Sequence, residues 1–227
     1  MNQTHDADLR IAHSPTTLRE LAVDRLRQAI ISGRFSGGDR LVERTLCDQL
    51  GVSRSVVREA IRYLEAEGLV ETQGRSGPMV ARLDWDQARQ VYAIRRLLES
   101  EAAAACARAA DAGVKAQLQA ALLRLEAAFA EATPAQLYDA TTGFYQVIFT
   151  AAGHGVAWEI VQRLNSRISR LRALTLATTD RRISGPAHMA RICAAICASD
   201  AEAAAQAVRE HLDDAAAIAR TLLETRK

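Results

Sequence analysis

Four side chains in one stretch carry the clearest chemistry of this chain. Arg54, Ser55, Arg58 and Arg62 lie within LGVSRSVVREAIRYLEAEGLV, and the three arginines recur every fourth residue. On a helix that spacing makes a single ridge. A guanidinium is a planar fork of donors, matched to phosphate oxygens and, in the major groove of a duplex, to O6 and N7 of guanine. Val57, Ala60, Ile61 and Leu64 fall on the opposite side at helical spacing and predict a buried face. An arginine stripe alone is usually only a solvated face, so the flanking segments must decide.

Those segments read as the frame such a ridge needs. Leu46, Cys47 and Leu50 give a short preceding helix one apolar side, and Gly51 allows the positive φ that ends it. Ser53 sits at the N-cap of the arginine helix, and Gly68 closes that helix. Residues 69–82 read as a β-hairpin whose tip is Gly74-Arg75-Ser76-Gly77. Helix, glycine turn, arginine-bearing helix and wing, in that order, point to double-stranded DNA as the partner.

The stretch from Leu18 to Arg82 resembles the winged-helix domain of GntR-type bacterial transcription regulators. The match is carried by Gly38-x-x-Leu41, Glu43-Arg44-x-Leu46, Leu50-Gly51-Val52-Ser53-Arg54, Val57-Arg58-Glu59-Ala60, Leu64, Glu67-Gly68-Leu69-Val70, and Gly74-Arg75 with Val80. The resemblance implies that Arg44, Ser53, Arg54, Ser55 and Arg58 contact DNA, with Gly74 and Arg75 at the wing tip. Val56 departs from the pattern, since relatives commonly carry Pro or a hydroxyl residue there.

Composition bounds the remaining possibilities. At 227 residues and 49% hydrophobic, the chain is long enough for two modest domains with real cores. No apolar run reaches the ~18 residues of a membrane span, and MNQTHDADLR lacks a signal-peptide core, so a cytoplasmic protein is expected. The net charge is only +2, and residues 1–82 hold 12 Arg against 11 acids. The basic character is therefore local, and overall charge neither supports nor opposes DNA binding. Four cysteines, Cys47, Cys106, Cys193 and Cys197, are expected as small buried residues rather than disulfides. Cys193 and Cys197 share a helix face, but with no second pair they read as core.

In chain order, residues 1–16 read as a flexible tail, 17–82 as the winged helix-turn-helix domain, and 83–227 as an all-helical domain. Thr17-x-x-Glu20 is a capping box opening a helix that ends at Gly33, and Leu41-Val42 is a candidate short strand beside the wing. Six helices are expected beyond Asp84. The first stops at Gly113, the second is marked by Leu118 to Phe129, and the third opens at Thr133-Pro134. The fourth runs through Trp158, Val161, Leu164, Ile168 and Leu171, the fifth from Pro186 to Ala198, and Ser199-Asp200 cap the last. Short loops between helices imply an antiparallel bundle. The fold class is mostly α, with a small β-wing. No phosphate loop, nucleophile motif or paired-carboxylate site appears, so no enzyme is expected.

The helical half resembles the FCD effector domain that accompanies one large, FadR-like GntR subfamily. Arg95-Arg96-Leu97-Leu98-Glu99, Phe144 with Ile148, Ala151-Ala152-Gly153, and His188-x3-Ile192-x3-Ile196-x3-Asp200-x3-Ala204 leading to His211 carry that match. Members of the family often hold a divalent metal with one Asp and three His. Here Thr141 and Tyr145 occupy two of those four positions, while His188 and His211 remain. Asp139 is two residues off register, about 200° around the helix, and does not substitute. A hydroxyl, a phenol and two imidazoles are a poor set for zinc, and no metal or other cofactor is expected.

The resemblance implies instead a pocket in which Arg95, Thr141, Tyr145, His188 and His211 meet a small organic acid. It further implies a homodimer on a pseudo-palindromic operator, most often as a repressor. A metal sensor using His188 and His211, and a ligand-free dimerisation scaffold, stay open as alternatives.

Overall fold

The computed structural model describes residues 17–72, 74, 77–131, 133–177 and 185–225. The expected tail, residues 1–16, lies outside the described residues. The first unit contains α1 (Leu18–Ile31), α2 (Glu43–Leu50), α3 (Arg54–Ala66), β1 (Val70–Thr72) and β2 (Pro78–Val80). Thr17 caps α1 with the expected box: its Oγ1 accepts from Glu20 N at 3.2 Å, and Glu20 Oε2 accepts from Thr17 N at 2.8 Å. Gly51 ends α2 at φ +66°, and Ser53 begins α3 from an extended backbone. β1 and β2 pair antiparallel with Val70 opposite Val80.

The strand expected at Leu41-Val42 is displaced. The bridge to the wing is Arg40 to Met79, flanked by Gly38 N to Val80 O and Leu41 N to Pro78 O, both 2.8 Å. Val42 is instead the N-cap of α2. Leu26, Ile30, Leu41, Leu46, Val57, Leu64, Leu69 and Val80 close one core among these elements.

Among the described residues seven helices follow: α4 (Trp85–Ala109), α5 (Ala112–Glu131), α6 (Pro134–Ala151), α7 (Gly155–Arg167), α8 (Ser169–Ala177), α9 (Gly185–Cys197) and α10 (Ala201–Glu224). Two expectations are corrected here. Gly113 does not stop α4; it lies inside α5, and the chain breaks at Ala110-Asp111, where Asp111 Oδ1 accepts from Val114 N at 2.8 Å. A short polar acceptor that caps the next turn sets this boundary, not the glycine.

The expected fourth helix is two. Ile168 stands at φ −107°, ψ 14°, and its N–H to Leu164 O is stretched to 3.3 Å. Asn165, Ser166 and Ser169 crowd this point, and such side chains compete with the helical backbone. The pattern then resumes, with Arg172 N to Ile168 O at 2.7 Å.

The second core is alanine-rich where α4 meets α10: Ala88, Ala102, Ala103, Ala107, Ala204, Ala207, Ala215 and Ala219 are buried there. Phe144, Ile148, Phe149, Met189, Ile192 and Ile196 fill the remainder. Small residues let helix axes approach closely, so a few aromatics suffice. A third, small cluster joins the two units: Ile31 at the end of α1, Tyr138 of α6 and Ala173 of α8.

Candidate functional site

The arginine ridge lies as its spacing requires. Val57, Ala60 and Leu64 have 0% of their surface exposed, whereas Arg44, Ser53, Arg54, Ser55, Arg58 and Arg62 are all exposed. Glu43, at the start of α2, organises two of the arginines. Its Oε2 takes Arg54 Nε at 2.6 Å, and its Oε1 lies 3.6 Å from Arg58 Nε. The Glu43 hydrogen bond, and then its charge, raise the Arg54 pKa. Glu43 thus holds the fork of Arg54 and leaves both guanidinium groups open to a partner approaching α3. Ser53 Oγ caps α3 through Val56 N and lies 2.9 Å from Ser55 Oγ, so the two hydroxyls sit together at the helix N-terminus. That end carries partial positive charge and suits a phosphate.

Gly74 is exposed at φ +49°, with open space where a side chain would project. Arg75 lies outside the described residues. In the sequence Glu43 stands only as part of the Glu43-Arg44-x-Leu46 motif. Its role follows from the fold, which sets α2 across the start of α3.

The residues expected around an effector are all buried in the bundle, in two groups. Arg95 and Tyr145 belong to the first. Arg95 donates from Nε to Glu99 Oε1 at 2.7 Å and from Nη2 to Oε2 at 3.4 Å, with side chains 2% and 1% exposed. Burial pushes the Arg95 pKa down, but Glu99 first, with Tyr92 and Tyr145, more than restores it, and the net shift is upward. The Tyr145 phenol is held well above the usual tyrosine range, first by burial and then by the Glu99 charge, against Arg95 and Arg172. It is therefore a neutral donor. Thr141 Oγ1 donates back to Leu137 O at 2.7 Å, which ties that hydroxyl to its own helix.

His188 and His211 form the second group, with ring centroids 5.2 Å apart, and His188 Nε2 lies 3.3 Å from Asp214 Oδ2. Among the described residues, no group of three or more His, Cys, Asp and Glu side chains is placed to hold a metal ion. The donors at the family's metal positions do not fit that role. The Thr141 hydroxyl is committed to a carbonyl, and the Tyr145 phenol keeps its proton. Asp139 turns away toward α1, where Gln28 hydrogen-bonds it; burial raises its pKa.

Beyond the residues expected there, the fold adds buried Glu99 and Arg172 and half-buried Asp214. Glu99 and Asp214 had a signal, lying four residues after Arg95 and three after His211 on the same helices. Arg172 had none, because an arginine next to Leu171 reads as the solvated edge of an amphipathic helix. It is 3% exposed, stacked 4.9 Å over the Tyr138 ring, and burial and then the nearby Arg95 charge lower its pKa.

Residues 18–80 match the bacterial regulatory proteins of the gntR family, and residues 90–214 match the FCD domain. The HTH-type transcriptional regulator BphR of Paraburkholderia xenovorans is 29% identical over 90% of this chain and 86% of its own. The HTH-type transcriptional repressor RspR of Escherichia coli is 24% identical, covering 83% of each chain. Among solved structures, E. coli McbR/YncC superposes with a TM-score of 0.75 at 22% identity, over 92% of this chain and 99% of that one. A GntR regulator from Rhodococcus sp. RHA1 gives 0.72 at 25% identity, over 89% and 97%.

Proposed function

The chain belongs to the GntR family of bacterial transcription regulators and carries an FCD domain; on that premise we propose that it is a ligand-responsive repressor whose operator affinity is set by a small carboxylate metabolite. Residues 17–82 act as the DNA-binding unit, and residues 83–227 as the effector-binding and dimerisation unit. The observation that carries this reading is the exposed Arg54-Ser55-Arg58 face of α3, opposite a fully buried apolar face and braced by Glu43. Arg54 or Arg58 pairs bidentately with guanine, while Arg44, Ser53, Ser55, Gly74 and Arg75 hold the backbone.

A homodimer presents two such helices to a pseudo-palindromic site. Exposed Ile94 and Leu97 on α4, and Val156 and Ile160 on α7, supply apolar surface for it on two helices that touch one another. The effector enters the bundle, where Arg95, Thr141, Tyr145, His188 and His211 are buried. No helix among the described residues is long and apolar enough to cross a membrane.

Operator selection from a randomised DNA pool, followed by anisotropy titration, tests the reading. The expected product is a site with two half-sites, bound two chains per duplex, with an affinity that falls steeply with salt. Recovery of no preferred sequence would refute it.

A further inference from the structure

We propose that Asn165, Ser169 and Arg172 form the ligand-receiving stripe of the bundle, taking a small hydroxy-carboxylate with its carboxylate on Arg172. The proposal rests on the effector reading above and names the chemistry of that site.

Each of the three side chains is almost wholly buried, at 2%, 1% and 3% exposure. Each also carries a buried polar atom with no hydrogen-bond partner among the described residues: Asn165 Oδ1, Ser169 Oγ and Arg172 Nη2. Buried polar groups are nearly always satisfied, because leaving one unpaired costs the full desolvation of that group. Three in a row is therefore not a packing accident. They are spaced four and then three residues apart across the junction of α7 and α8, where Arg172 N–H donates to Ile168 O at 2.7 Å.

The charges point to an anion. Arg95 is already matched by Glu99, donor against acceptor, inside the bundle. Arg172 feels the charge of both, yet among the described residues donates from Nη1 to Thr142 Oγ1 alone, at 3.3 Å. The cluster of Arg95, Glu99 and Arg172 thus holds two cations and one anion away from water. Arginine does not shed its proton to relieve this. A carboxylate placed on the open side of Arg172 cancels the excess and accepts from its fork. The neutral Tyr145 phenol, electrostatically adjacent, is a further donor of the right kind.

Asn165 Oδ1 accepts a hydroxyl proton, and Ser169 Oγ donates or accepts one, so the remainder of the ligand carries hydroxyl groups. Arg172 stacks on Tyr138, which packs with Ile31 at the end of α1. A ligand that draws the guanidinium off that ring is felt at the joint between bundle and winged helix.

The test uses the full chain, metal-stripped, in thermal melts with D-gluconate, glycolate and citrate. Acetate lacks the hydroxyl and D-glucose the carboxylate, and sodium chloride matches ionic strength. At least one hydroxy acid should raise the wild-type midpoint by roughly 5–10 °C at saturation, and acetate and glucose by less. Arg172→Met and Asn165→Leu should melt no lower than wild type without ligand, and both should lose most of the hydroxy-acid response. Tyr138→Leu should keep the thermal response and lose the change in operator affinity.

Destabilised or unfolded Arg172→Met and Asn165→Leu chains would make these residues structural and overturn the proposal. So would wild-type responses in those variants, or no response of wild type to any hydroxy acid. Operator binding is measured in parallel without ligand. Its absence defeats the regulator reading, while the melts still decide the fate of the stripe.

Discussion

The arginines of α3 and the arginines of the bundle are opposites. Arg54 and Arg58 are 76% and 55% exposed, backed by side chains with no exposure at all, and share Glu43 as an anchor at the protein surface. Arg95 and Arg172 are buried, and among the described residues only Arg95 is paired with a carboxylate. Exposed guanidinium groups cost little to keep charged, so a helix can display them permanently for a polyanion. A buried one is tolerated only with a partner, and Arg172 lacks a full set among the described residues. On the proposed reading the surface site is ready before its partner arrives, whereas the interior site is complete only with its ligand.

The largest expected effect sharpens the surface side of this contrast. Arg58→Ala should cut operator affinity by about 30-fold or more, because a dimer loses the contact twice at about 1–3 kcal/mol each. Circular dichroism and size should be unchanged, since the side chain packs into no core. Wild-type affinity in that variant would move recognition to other residues.

Inside the bundle, Glu99→Ala should destabilise by about 3–5 kcal/mol, by leaving Arg95 buried and unmatched. Thermal unfolding should show a drop on the order of 10 °C. A drop of only 1–2 °C would mean that the pair is better hydrated than its burial implies.

At the N-cap, Ser53→Ala should cost about 1 kcal/mol of stability, measured by urea unfolding. Its effect on operator affinity should be smaller than that of Arg58→Ala.

The smallest effects concern thiols and pH. Burial raises the Cys106 pKa to about 11 and the Cys193 pKa to about 12, against an ordinary 9.0. Both stay protonated in the folded chain up to the pH where the unfolded chain ionises. Their contribution to stability is therefore complete below pH 9.0 and falls as pH rises toward 11–12. Alkylation at pH 8 should spare both until the protein is unfolded. Rapid modification of either in the native state would contradict this.

The same contrast explains how much could be read from the chain alone. The winged helix was legible because its devices are local. Gly51 at φ +66°, the Ser53 cap, the Thr17 box and the period of Val57, Ala60, Ile61 and Leu64 all act within a few residues. In the bundle, Gly113 misled because a helix end was set by Asp111. Ile168 misled because an apolar stripe continues through a break. Arg172 was invisible because its burial depends on α6, some 30 residues away along the chain. Periodicity shows which side of a helix is apolar. It does not show that a second helix will cover the polar side.

Operator titration of the wild-type chain, with and without a hydroxy acid that raises its melting temperature, tests the central claim most directly. The account predicts a 5–150-fold change in operator affinity, the range of ordinary allosteric coupling, and none in Arg172→Met. An operator affinity indifferent to a ligand that demonstrably binds would contradict it, and would leave the helical domain a scaffold.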